Sequence, residues 1–157
     1  MFKIERKIVE FVERNVNILF MLAITGLAIV VRYAGRDFVS GDMTWFFLGW
    51  FQKIADNGGI HSLKNQVGDY NILYQTIVAL FTYIGDKSIY YYKILSIFFD
   101  FCMAISAAIF ACELSKKEKN DKVFFVTFAV VIMLPTVILN SAYWGQCDSI
   151  YTTFIIL

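Results

Sequence analysis

The chain has 157 residues, of which 59% are hydrophobic and 17% charged, with a formal net charge of +1 and a mean hydropathy of +0.61. Soluble domains average roughly 45–50% apolar and about 25% charged residues, so this composition excludes a disordered tail and argues against a water-soluble globular domain. The near-zero charge predicts no nucleic-acid partner, and three cysteines without CxxC spacing predict neither a disulfide scaffold nor a zinc site.

Residues 2–14 place Ile4, Ile8, Phe11 and Val12 on one helical face, which predicts an interfacial helix leading into a membrane span. The apolar run from Val16 to Val31 is bounded by Arg14 and Arg32 and predicts a first span near 15–33. No small-residue cleavage site follows it, so it reads as an uncleaved anchor. Arg32 and Arg36 close this span. They either snorkel to the interface or bind a lipid phosphate through the guanidinium fork.

An outer loop is expected over 34–70. In Ser40-Gly41-Asp42, Asp42 occupies an N-cap position, and the cap would fix a carboxylate able to take a proton from an acceptor hydroxyl. Phe47, Trp50, Phe51 and Ile54 then share a helical face, which predicts an amphipathic helix lying flat at the membrane boundary. Asn57-Gly58-Gly59 suits its end. His61 and Lys64 could meet a phosphate. Asp69 or Asn71 can cap the next helix, and Tyr70 and Tyr74 read as interface anchors.

That next apolar block, 71–85, is short for a span and carries Gln75 and Thr76 in its middle. Longer blocks follow near 89–113 and 123–142, and another starts near 149 and is cut at Leu157. The chain therefore reads as the N-terminal part of a larger membrane protein, one all-α polytopic helix bundle with juxtamembrane amphipathic helices on its outer loop. Lys3, Arg6, Lys7 and Arg14 precede the first span, and Lys116, Lys117, Lys119 and Lys122 separate the second and third long blocks. Positive charge marks the cytoplasmic side. Both groups are cytoplasmic only if 71–85 is re-entrant; if it crosses, the lysines are tolerated outside.

Asp100 lies midway along the 89–113 block, where a carboxylate costs about 2.5–3.5 kcal/mol and marks function or ties spans together. Lys93 shares its face two turns away, too far for a direct pair. Pro135 should loosen the helix before the polar stretch Asn140-Ser141-Ala142-Tyr143-Trp144-Gly145-Gln146-Cys147-Asp148. Asp148-Ser149 can cap the last helix, while Asn140, Trp144 and Gln146 beside it suggest a site.

Arg32, Ser40-Gly41-Asp42, Trp50, Asn57-Gly58-Gly59, Gly68-Asp69-Tyr70, Lys93, Phe99-Asp100, Leu134-Pro135 and the Trp144-Gly145-Gln146-Cys147-Asp148 stretch come in an order that resembles the GT-C superfamily of polytopic glycosyltransferases. The chain looks closest to bacterial relatives of the second mannosyltransferase of GPI-anchor synthesis. The resemblance implies an enzyme of the cell envelope that moves a sugar from a polyprenyl-phosphate donor to a glycan, lipid or protein acceptor on the outer face of the membrane. It implies Asp42 as the essential acidic residue and Asp148 as a second carboxylate lining the same site. Arg32, Arg36, Asp69, Tyr70, Lys93, Asp100, Asn140, Trp144 and Gln146 are the expected substrate-binding residues. Asp148 would orient the acceptor or hold a divalent cation, magnesium or manganese, with Asp42; two carboxylates are too few to predict a metal. The rival reading is a multi-pass transporter or lipid-linked-sugar flippase, with Asp100 and Lys93 lining a path.

Overall fold

The structure, a computed structural model, describes residues 3–115 and 121–157. Lys116, Lys117 and Lys119 lie outside the described residues. Among the described residues the chain is all-helical, with no strand.

Helix α1 runs over Lys3–Ala34, but its backbone leaves the helical region at Asn15 (φ −115°, ψ 15°). The Asn15 amide donates to the Phe11 carbonyl at 2.7 Å, so a side chain competes with the backbone ladder there. The break separates the amphipathic first turns, which leave Ile4, Ile8 and Phe11 exposed, from the apolar run after it.

After α1 the chain builds a compact cap. Helix α2 (Leu48–Asp56) follows a π-helical stretch over Met43–Phe47. A 3₁₀ turn (Gly59–Lys64) leads to helix α3 (Ile72–Thr82). Gly58, in the left-handed region, ends α2 as the Asn-Gly-Gly motif predicts. The cap core is aromatic: Phe47, Phe51, Ile54, Tyr74, Val78 and Tyr92 are buried together. This corrects the expectation for α2. Its apolar face does not lie on a membrane surface; it packs on α3 and on the start of the next long helix. Trp45 and Phe46 are the aromatic side chains left exposed on the preceding turn.

The 71–85 block forms one short helix. Helix α3 has 11 residues, which at ~1.5 Å per residue is about 16 Å, roughly half a hydrocarbon core of about 30 Å. Its buried side chains, Tyr74, Gln75, Val78 and Ala79, face the cap.

Helix α4 (Ser88–Leu114) returns alongside α1. Near its start Lys93 meets the carbonyls just beyond α1, whereas Ala104 and Ala108 pack farther back, against Ala28. The two helices are therefore antiparallel. Ala28, Ala104 and Ala108 share one buried core with Phe128 and Ile132, and the close backbone neighbour of α4 there is the next helix. Helix α5 (Asp121–Met133) runs parallel to α1, with Phe128 and Ile132 completing the same core. At Leu134 it breaks, and the segment Pro135–Trp144 is bent by 51°. That segment comprises the short α6 (Pro135–Ile138) and a π-helical stretch over Leu139–Trp144. Proline at the first position of α6 supplies no backbone donor, which accounts for the break. Helix α7 (Asp148–Ile156) packs across α4. Helices α1 and α4 are long and apolar enough to cross a membrane, and the bent α5–α6 pair would be a third span if counted as one.

Two cations knit these elements. Arg32 is 1% exposed; its Nη2 lies 2.9 Å from Asp100 Oδ2 and also donates to the Ile132 carbonyl at 2.8 Å. Lys93 is 2% exposed, and its Nζ donates to the carbonyls of Gly35 (2.6 Å), Arg36 (3.2 Å) and Phe38 (2.5 Å). The ammonium fixes the turn that carries the chain from α1 into the cap. Replacing it by Lys93→Met keeps the stem but strips a charged donor from three carbonyls. The expected loss is about 2–3 kcal/mol, read as a lower unfolding midpoint in detergent; an unchanged midpoint would refute the clamp.

Candidate functional site

A cleft of about 300 Å³ opens at the cap end of the bundle. It is lined by Asp42, Phe46, Phe47, Trp50, Asp69, Tyr70 and Gln146. The expected N-cap role of Asp42 is corrected: the backbone N–H of Met43 donates to Ser40 Oγ at 3.1 Å, and Asp42 makes no cap bond. Ser40 and Asp42 have similar cap propensities, and the earlier residue takes the position. Asp42 is thereby released into the first turn with its carboxylate facing the cleft.

Gln146 reaches it from 104 residues away. Its Nε2 donates to Asp42 Oδ2 at 2.7 Å, while its Oε1 accepts from the Tyr70 hydroxyl at 2.8 Å. Tyr70 has its pKa pushed above the ordinary phenol value of 10.0, first by burial, then by the neighbouring Cys147, Asp148 and Asp42. It therefore stays a protonated donor. With a phenol that must donate at one end and a carboxylate that must accept at the other, the amide has one orientation. Burial, then Asp148, also raises the pKa of the adjacent Cys147, which keeps it a thiol.

Aromatic rings build the walls. Trp50 meets Tyr70 edge-on at 5.6 Å, and Phe47 lies 5.6 Å from Trp50 and 5.8 Å from Tyr70. Two glycines make this possible. Gly68 (φ 75°) lies flat on the Trp50 indole, where a Cβ would sit 2.5 Å from the ring. Gly145 (φ 68°) ends the second π-helical stretch, and a Cβ there would meet Met43 at 2.6 Å. That left-handed turn aims Gln146 at Asp42. Cleft and donor chain together form a polar strip set between aromatic faces, an arrangement suited to a hydroxylated ring.

The other expected site residues divide. Asp69 and Tyr70 join Asp42 in the cleft. Asp148 does not: it lines a second cleft, with Met103, Thr136, Asn140 and Thr152. Its carboxylate accepts from the Asn140 amide at 2.9 Å and the Tyr151 hydroxyl at 3.2 Å. It occupies the first turn of α7 and makes no side-chain cap bond; Ser149 instead turns its hydroxyl to Asp100 at 2.5 Å. Both Asp42 and Asp148 sit near enough to Tyr70 to act on it, so they share an end of the molecule while lining separate clefts. Trp144 stays 47% exposed and gives the site only its carbonyl, which accepts from Ser40 Oγ at 3.4 Å.

Arg32 and Asp100 are corrected as substrate ligands, since they are buried against each other, and Lys93 is occupied by the backbone. Arg36 remains exposed, stacked 4.0 Å over Tyr33 and 3.1 Å from Asp37. It borders an almost wholly apolar furrow of about 340 Å³ with Ile29, Tyr33, Ile94 and Ile97. Among the described residues no group of three or more His, Cys, Asp or Glu side chains is placed to share a metal ion. Trp50 and Phe47 are the site residues that sequence reasoning assigned elsewhere, to a membrane-facing surface; the close approach of Gly68 to Trp50 is the feature that places them.

Comparison with protein-family models, with curated protein sequences and with solved structures finds no match to this chain.

Native Tyr70 holds its proton at pH values where a free phenol, near 10.0, loses it. Its contribution is complete below that value and is lost as pH rises above it. Tyr70→Phe should flatten the fall in unfolding midpoint as pH rises above about 10; an unchanged alkaline slope would contradict the assignment.

Proposed function

We propose that the protein is an integral membrane glycosyltransferase that moves a sugar from a polyprenyl-phosphate donor to an acceptor hydroxyl, with Asp42 as the base. The observation that carries this reading is the Tyr70–Gln146–Asp42 chain in an aromatic cleft. The Gln146 amide donates a hydrogen bond to Asp42 but is far too weak an acid to give up its proton, so the chain orients the carboxylate without protonating it. Rings such as Trp50 offer the flat apolar faces that sugars stack on.

In the proposed step an acceptor oxygen attacks the anomeric carbon as the bond from that carbon to the phosphate oxygen breaks. The phosphate leaves with the bonding pair, and the acceptor proton passes to Asp42. A single displacement inverts the anomeric centre. Arg36, exposed beside Asp37 and Tyr33, is the cation we assign to the departing phosphate, and the apolar furrow beside it suits a prenyl chain. Asp148, with Asn140, is placed to orient a substrate from the neighbouring cleft. We assign no metal to the site.

The same reading orients the chain. The start of α1, the end of α4 and the start of α5 lie at one end of the bundle, next to cation-rich stretches of the sequence, and the cleft lies at the other. The positive charge supports a cytoplasmic first end and, with it, a cleft on the outer face. A transporter would need Asp100 and Lys93 along a wet path, and both are instead buried on bonded partners.

Asp42→Asn in the full-length protein keeps an acceptor for Gln146 but removes the base. Transfer from a polyprenyl-phosphate sugar should fall about 10²–10⁴-fold with the unfolding midpoint unchanged. Transfer at the wild-type rate would remove Asp42 from this role.

A further inference from the structure

A second cleft, of about 310 Å³, adjoins the first, and Tyr70 is a wall of both. Its lining carries no charge: Asn65, Gln66, Tyr70, Asn71 and Gln75 supply the polar groups, with Val67 beside them. Two of these amides are already engaged. Asn71 Oδ1 accepts from the Tyr74 backbone N–H at 3.0 Å, and Gln66 Nε2 donates to the Gly68 carbonyl at 3.1 Å.

Gln75 is different. It is 2% exposed, and among the described residues neither its Nε2 nor its Oε1 has a hydrogen-bond partner. Such a group is uncommon, because burying an unpaired amide costs free energy that an apolar side chain of the same shape would not. Gln75 lies on the first turn of α3, between Tyr74 and Val78, where a leucine or methionine would fill the space. Gln75 lines the cleft together with the Tyr70 ring, and its two N–H donors and carbonyl acceptor lie unpaired just beneath that wall.

We propose that this cleft binds a neutral, hydroxyl-rich ring, with Gln75 as its buried hydrogen-bonding partner and Tyr70 as its stacking face. A hydroxyl both donates and accepts, so adjacent hydroxyls on one ring satisfy both ends of a primary amide. The lining itself carries no charge, and the cleft lies between the carboxylates of Asp42 and Asp69 on one side and the cations Lys53 and Lys64 on the other, so no fixed charge within it rewards an ionised ring over a neutral one. Sharing Tyr70 with the Asp42 cleft puts a ring held here next to the base. In this role it is the acceptor subsite, an assignment that rests on the transferase reading above.

The test measures binding without any donor, so it does not depend on transfer. Methyl α-mannoside, methyl β-glucoside and methyl β-galactoside, with methyl β-glucuronide as the charged comparison, are titrated into the full-length protein in detergent. Saturation-transfer NMR reports binding. At least one neutral glycoside should bind, the glucuronide at least tenfold more weakly, and Gln75→Met should weaken the neutral ligand at least tenfold. The Gln75→Met protein should unfold at the same or a higher temperature, because the orphaned amide is gone. A variant that loses binding because it unfolds shows a lowered midpoint instead, and Gln75→Leu, apolar and of similar size, then decides: retained neutral binding overturns the role of the amide. Binding unaffected by Gln75→Met, binding of the glucuronide alone, or no binding by any glycoside also overturns the proposal. A protein that binds glycosides through Gln75 yet transfers no sugar sinks the transferase reading and keeps the binding site. One that transfers sugar with an acceptor KM indifferent to Gln75→Met does the reverse.

Discussion

A guanidinium and a carboxylate, 68 residues apart and both withdrawn from solvent, fix the relation between the helices of this protein. Asp100 accepts from Arg32 Nε at 3.0 Å, from Ser141 at 2.5 Å and from Ser149 at 2.5 Å. One carboxylate thus ties α1, the π-helical stretch after α6, and the start of α7 to α4. Either charge alone in an apolar bundle would be expensive. Paired and fully hydrogen-bonded, they cost far less, and they act only in one relative placement of the four segments. The apolar seam of Ala28, Ala104, Ala108 and Ile132 then packs below the pair.

The candidate site inherits its geometry from that junction. Ser141 is held by Asp100, and five residues later Gln146 reaches Asp42. On the other side, Lys93 fixes the turn out of α1, from which Ser40 caps the helix that carries Asp42. The two arms of the cleft are therefore anchored to one face of α4 at points two turns apart, one by Asp100 and one by Lys93. The aromatic cap supplies the third side: Tyr92 of α4 packs on Phe47 at 5.0 Å and donates its hydroxyl to the Phe47 carbonyl at 3.1 Å. A π-helical stretch leaves such carbonyls with altered ladder partners, which is where a side-chain donor can enter.

Much of this was legible in the sequence, and the remainder was not for identifiable reasons. The runs at 16–31 and 89–112 announce long apolar helices because length and composition suffice. The amphipathic face of α2 was equally visible, but periodicity tells which residues are apolar and not whether protein or lipid covers them. Asp100 announced its need for partners; that Arg32 would answer, rather than snorkel, depended on α1 and α4 running antiparallel in a particular register. Ser40 and Asp42 have nearly equal claims to a cap, so the released carboxylate could not be assigned from spacing. Asp42 and the Trp144–Asp148 stretch were both singled out, yet the residue that closes the distance is Gln146, aimed by the left-handed Gly145. Gln75 carried no sequence signal as a site, because its interest lies in what it fails to bond.

The central claim is that the Arg32–Asp100 pair holds the bundle together as a unit. It is tested most directly by a double-mutant cycle on unfolding stability in detergent, using Arg32→Met, Asp100→Leu and both together. Each single change strands a buried partner and should cost about 3–5 kcal/mol, while the double variant, apolar on both sides, should recover most of that loss. Strictly additive losses would show that the two charges do not depend on each other and would contradict the account.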